Sequence, residues 1–140
     1  MVAGVVMIGP VVDPRARTLL RQGAGLIRDA APEPLRTNLM VAFDYARCGP
    51  SWFLAETRAM LAYPTHERIT ALTQPLLVIR GAHDSIARPN WAGRLSSQVT
   101  RGSVETTAGH RHNVVHSLPS EVALRIGRFA DTLPDMVRRP

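Results

Sequence analysis

"PLLVIRGAHDSIARP", residues 75–89, decides the fold. It opens with an unbroken apolar run, Leu76 to Ile79, bounded by Pro75 and Gly81. A short run of this kind, closed by residues that punctuate secondary structure, predicts a strand buried on both faces. Downstream, "NWAGRLSSQV" (90–99) reads as a helix and "GSVETT" (102–107) as a brief strand. "PSEVALRIGRFADTL" (119–133) closes the chain as a helix with Val122, Leu124, Ile126 and Phe129 on its apolar face. Upstream, "VAGVVMIG" (2–9), rich in Val and closed by Gly9 and Pro10, predicts a second doubly buried strand. Strand, helix, strand, helix with short connections predicts an α/β fold. Right-handed crossovers would give parallel strands flanked by helices on both faces.

Between the first two strands the pattern turns helical. Leu19, Leu20, Leu26 and Ile27 mark one apolar face; Leu35, Leu39, Met40, Phe43 and Ala46 mark another, with Pro34 in its first turn. "GPSWFLAETRAMLAY" (49–63) predicts a third helix with Ser51 as N-cap, and "YPTHERITAL" (63–72) a short fourth capped by Thr65. No internal repeat or low-complexity segment interrupts this order.

Composition excludes several classes of function. A chain of 140 residues, 45% hydrophobic and 20% charged, has the make-up of one globular domain able to bury a core. No apolar run approaches the roughly 18 residues that span a bilayer. The opening "MVAGVVMIGPVV" lacks the basic start of a signal peptide, and the chain's single cysteine, Cys48, cannot pair within it; both features predict a cytoplasmic protein. All 17 basic residues are arginine, giving a formal charge of +6. They are scattered from Arg15 to Arg139, adjacent only at Arg138 and Arg139, without interleaved aromatics, which argues against nucleic-acid binding.

Open parallel sheets gather their reactive groups in the loops beyond the carboxyl ends of the strands. Two loops qualify. One carries Asp84; the other, "TTAGHRHNVVHSLPSE" (106–121), holds three of the five histidines, His110, His112 and His116. A carboxylate on one loop and an imidazole on the next can meet across the top of the sheet, as a general base and its orienting acid must. The blander readings are that Asp84 is only a turn residue and that the histidines are solvated. "HNVVH" also has the two-histidine spacing of a zinc helix, with His110 a conceivable third ligand. Asn113, however, stands where a metalloprotease needs Glu, and no supporting carboxylate is in view. His83 reads as a surface side chain, His66 as structural, and Cys48 as a small buried hydrophobe.

"PLLVIRGAHDSIARPNWAGRL" followed by "TAGHRHNVVHSLPSEVALRIGRF" resembles the C-terminal part of the α/β-hydrolase fold family. The likeness extends over nearly the whole chain, since "VAGVVMIGPVVDP" matches the strand leading into that family's helical cap and "DYARCGPSWFLAETRAML" resembles cap helices. It implies the catalytic acid at Asp84, in the Gly81-to-Asp84 turn. It implies the catalytic histidine about seven residues before the proline of the last helix, which selects His112 ahead of Pro119 over His110. It also implies a division into residues 1–12 (core strand and lead-in), 13–72 (cap), 73–133 (C-terminal core with acid and histidine loops) and 134–140 (tail).

The family's G-x-S-x-G nucleophile elbow does not occur in these 140 residues, and "GPSWF" lacks the second glycine. The earlier strands and the His-Gly-type segment of the oxyanion hole are not present either. The chain therefore resembles the C-terminal half of a hydrolase: a truncated product, a start codon set too far downstream, or a fragment that pairs with another chain. The implied activity is that of a serine-type hydrolase on esters or similar small apolar acyl substrates, with no metal or organic cofactor. Halide or carbon–carbon bond hydrolysis is not separated from it. Alone, the chain is expected to be marginal, inactive or oligomeric, because losing the nucleophile costs on the order of a millionfold in rate and a bare sheet edge invites pairing with the N-terminal half or a second copy. The alternative is a non-catalytic remnant or interaction module that keeps the sheet and cap.

Overall fold

The structure, a computed structural model, describes residues 2–134; residues 135–140 of the expected tail, with Arg138 and Arg139, lie outside the described residues. Three strands, β1 (Val5–Ile8), β2 (Leu76–Gly81) and β3 (Gly102–Thr107), form a parallel sheet in the order β1-β2-β3. Val5 pairs with Leu76, and Leu76 in turn with Gly102. The α/β reading of the sequence and its parallel pairing therefore hold.

The sheet is covered on both sides, and the alternation of side chains along β2 sorts the core into two halves. Leu76 and Val78 face one way, against Ile69, Trp91, Ala92, Leu95 and Val99. Leu77 and Ile79 face the other, against Val114, Val122, Ile126 and Phe129. Helix α5 (Pro89–Ser97) covers the first face and α7 (Pro119–Asp131) the second, together with the short α6 (Val114–Ser117), which the sequence pattern does not announce. Leu124, expected on the packing face of α7, is exposed; Val122, Ile126 and Phe129 alone make that contact.

The expectation of burial on both faces is met by β2, where every residue is buried. It is not met by β1, all four residues of which are half-buried. β1 and β3 form the two edges of the sheet among the described residues, so each has one paired neighbour only.

Residues 13–72 are helical: α1 (Leu19–Ala30), α2 (Leu35–Cys48), α3 (Pro50–Ala62) and the single turn α4 (Thr65–Arg68), with short 3-10 turns at Pro14–Ala16 and Ile69–Ala71. Several local expectations are corrected. Ser51 lies inside α3, whose N-cap is Gly49 at φ +81° with Pro50 as the first helical residue. Pro34 is the N-cap of α2 rather than part of its first turn. Thr65 is the first residue of α4 and Pro64 its cap, with no side-chain cap bond. Cys48, at the end of α2, is exposed and not a buried hydrophobe. More consequentially, the apolar faces of α1 and α2 do not pack inward. Leu20 is 85% exposed, Ile27 72% and Leu35 73%, whereas the buried residues of α1 are Gln22 and Asp29, seven residues and two turns apart on one face. This helix meets the lead-in and the loops beyond the strands through its polar side.

The lead-in from β1 is held by polar anchors. Asp13 is buried and accepts from Arg88 at 2.9 Å and Arg94 at 2.7 Å, both reaching from α5 or its N-cap. Trp91 donates its indole N–H to Pro10 O at 3.1 Å. At the far end, Arg17 places its guanidinium on the carbonyls of Leu61 and Ala62 at the C-terminus of α3, where an incoming cation offsets the unpaired carbonyl dipoles.

Candidate active site

The carboxyl ends of β2 and β3 bring the acid loop and the histidine loop together, and the close approach depends on glycine. A Cβ at Gly81 would lie 2.3 Å from the carbonyl oxygens of both His110 and Arg111, a separation real side chains do not tolerate. With that volume empty, His83 N–H donates to His110 O at 2.9 Å and Ala82 N–H to Thr107 O at 2.8 Å, zipping one loop to the other.

Asp84 is buried at the tip of the first loop. Its Oδ1 accepts from the backbone N–H groups of Ile86 (2.8 Å) and Ala87 (2.7 Å), an Asx-type turn that fixes the side chain. Its Oδ2 accepts from Nδ1 of His112 at 3.0 Å. The sequence pairing of Asp84 with His112 is thus a contact in the structure. Burial works to raise the Asp84 carboxyl, but the hydrogen bond and charge of His112, with the amides of Ala87 and Ile86, outweigh it and hold the group below the ordinary aspartate value. An ionised carboxylate can only accept, so Nδ1 of His112 is the donor of this bond, which leaves Nε2 as the acceptor nitrogen of the neutral ring. Among the described residues Nε2 has no hydrogen-bond partner.

The imidazole is about one-quarter exposed and stands at the end of β1. Gly9, with φ +54°, leaves room for it, since a Cβ there would sit 3.0 Å from the ring carbon Cε1. On its other side His112 borders a cavity of about 460 Å³, walled largely by Leu19, Leu26, Trp52, Phe53, Met60 and Ile86. Leu19 and Leu26, predicted as packing residues, are therefore cavity walls.

The other histidines do not join this pair. Nδ1 of His110 meets Ser117 Oγ at 3.0 Å, His116 and His83 are exposed, and His66 lies 3.6 Å from Glu67. The zinc-like grouping of His110, His112 and His116 is not assembled.

Two residues that sequence reasoning overlooked support the site. Arg80, buried as the penultimate residue of β2, donates to Ala87 O at 2.6 Å and Ala82 O at 3.2 Å and braces the acid loop from below; burial lowers its pKa, partly countered by Asp84. Asp29, buried in α1, accepts from Ser85 and His112, and its carboxylate lies with those of Asp84 and the imidazole of His112 inside 4.8 Å. That spacing could hold a cation. The donor set argues otherwise, because the carboxylate oxygens here already face N–H groups, whose positive ends would repel one. Its place on the same helix face as Gln22, opposite Leu20 and Ile27, was the only sequence signal for Asp29.

No family model matches this sequence, and no curated protein does either. Solved structures do match in shape. The chain is similar to E-2-(acetamidomethylene)succinate hydrolase (17% identity, TM-score 0.64), covering 94% of this chain and 58% of that one. It is similar to the esterase RhEst1 from Rhodococcus sp. ECU1013 (18%, TM-score 0.57, 94% and 57%) and to a thermophilic esterase from Thermogutta terrifontis (18%, TM-score 0.53, 92% and 56%). The chain thus spans a little over half the length of each. Among the described residues no helix is long and apolar enough to cross a membrane.

Proposed function

Starting from a chain that carries the C-terminal part of the α/β-hydrolase fold, we propose that it supplies the acid and base of a serine-type hydrolase acting on esters or similar small apolar acyl substrates. Asp84 orients His112 and fixes its tautomer; Nε2 of His112 takes the proton of a serine hydroxyl and returns it to the leaving group. The serine comes from outside these 140 residues, on a segment that pairs along the free edge of β1. Residues 13–72 act as the cap, and the aromatic and aliphatic cavity walls favour an apolar acyl or alcohol portion. The observation that carries this reading is the 3.0 Å Asp84–His112 contact beside that cavity.

The test extends the expressed chain upstream to its first in-frame G-x-S-x-G and follows fluorophosphonate labelling and hydrolysis of short p-nitrophenyl esters. The 140-residue chain should not label and the extended one should. His112→Ala in the extended enzyme should lower turnover by a factor on the order of 10⁴ to 10⁶, with His110→Ala within a few-fold of the parent. Full activity in His112→Ala would refute the assignment. Failure of the extended chain to label at all would favour a non-catalytic module, a reading to which the exposed apolar faces of α1 and α2 lend weight.

A further inference from the structure

We propose that Asp29 is a positioning residue that clamps both reactive loops to α1 and sets the place of the His112 backbone, so that the imidazole reaches Asp84. The inference builds on the acid–base reading above but is tested without reference to activity. Asp29 sits 56 residues before Ser85 and 83 before His112, yet one buried carboxylate gathers both. Ser85 N–H lies 3.2 Å from each of its oxygens, and Ser85 Oγ–H donates to Oδ1. His112 N–H donates to Oδ2 at 3.2 Å. Arg111, one residue before His112, adds a guanidinium 3.7 Å from Oδ1.

These partners flank the acid–base pair closely. Ser85 is the next residue after Asp84, and His112 is bound through its own amide. The carboxylate thus holds the two main chains whose side chains form the 3.0 Å contact. Besides the backbone bonds at Ala82 and His83 and the Asp84–His112 contact itself, it is a third tie between the loops, and it acts on their main chains from α1. Apolar packing does not replace it, because the neighbouring Leu26 and Ile27 of α1 are turned to the cavity or to solvent. Asn retains one carbonyl oxygen but gains an N–H₂ that cannot accept, so it can serve one of the two amides and not both fully.

Hydrogen exchange of backbone amides in the 140-residue chain, read by NMR, tests the clamp. In the parent, the amides of Ser85 and His112 are expected to be protected. In Asp29→Ala they should exchange at least tenfold faster while Leu77 and Ile79 in β2 keep their protection. In Asp29→Asn at least one of the two should stay within a few-fold of the parent. A crystal structure of Asp29→Ala should show the Asp84 Oδ2 to His112 Nδ1 distance opened beyond 3.5 Å. Parent-like protection of Ser85 and His112 in Asp29→Ala, an equal acceleration across β2, no protection in the parent, or an unchanged 3.0 Å contact would each overturn the proposal. None of these results depends on hydrolysis, so an inactive extended enzyme with a working clamp would sink the catalytic reading alone.

Discussion

Replacing Gly81 by alanine isolates the contact on which the site is built. The added methyl carbon would lie 2.3 Å from two carbonyl oxygens, those of His110 and Arg111, about 0.7 Å inside the closest approach real side chains make. Both obstacles are main chain, so neither can swing aside as a flexible side chain would. The histidine loop must retreat from β2, and the bond from His83 N–H to His110 O goes with it. Overpacking of this kind costs about 1–3 kcal/mol, and a lost buried hydrogen bond adds about 1. The sum, near 3 kcal/mol, is a large share of the roughly 5–15 kcal/mol that holds a domain together, and for a chain of this size it corresponds to a melting temperature lower by about 10 °C. Thermal unfolding followed by far-UV circular dichroism measures it directly. The matched control is Gly93→Ala in α5, where the added Cβ meets nothing within 4 Å and helix propensity should leave stability equal or slightly raised. If Gly81→Ala melts within about 2 °C of the parent, less than 1 kcal/mol on the same scale, the loops are not packed on that glycine and the geometry drawn from it fails.

Other perturbations have equally definite expectations. Because the folded state holds the Asp84 carboxyl below its usual value, the stabilisation it gives is complete above the ordinary aspartate range and is lost as pH falls through the folded-state value. Asp84→Asn should therefore flatten the acid limb of a stability-against-pH curve, and an unchanged acid limb would show that the shift belongs to another group. Asp13→Ala removes the acceptor shared by Arg88 and Arg94 and the turn bond to Arg15 N–H, and should lower the urea midpoint by the equivalent of about 1–3 kcal/mol. Gly127→Ala, in α7 with open space around it, should raise the midpoint by up to about 1 kcal/mol.

The parts of this fold that can be read from sequence are those whose signal is local. "LLVI" between Pro75 and Gly81 is buried on both faces because both faces are covered, and its four apolar residues announce that directly. Asp84 and a histidine of the 106–121 loop were legible from their places just past strand ends, whereas the choice of His112 among three histidines came from the resemblance to the α/β-hydrolase family; strand register and loop length carry the two side chains to the same place. Burial of β1 was overestimated because a Val-rich run reads alike whether it lies at the centre of a sheet or at an edge with one paired neighbour. The caps at Ser51 and Thr65 failed for a related reason: Pro50 and Pro64 fix the backbone one residue earlier than the hydroxyls would.

The apolar faces of α1 and α2 illustrate a different limit. Periodicity reports which side of a helix is apolar but not what that side will meet. In α1 the side that reaches the rest of the fold is the one with Gln22 and Asp29, and it does so through bonds to Ala16 O in the lead-in and to Ser85 and His112 in the two reactive loops, spanning up to 83 positions. A long-range polar contact leaves no periodic trace, because a single residue makes it and its partners are turn residues chosen for other reasons. Its energetic weight is nonetheless high, since a buried carboxylate stripped of its donors is far costlier than an exposed leucine. That asymmetry explains how α1 can turn Leu20 and Ile27 outward and still be fixed in place: the helix is oriented by what it cannot leave unpaired, and its apolar side is left to line a cavity at Leu19 and Leu26 and to face solvent elsewhere.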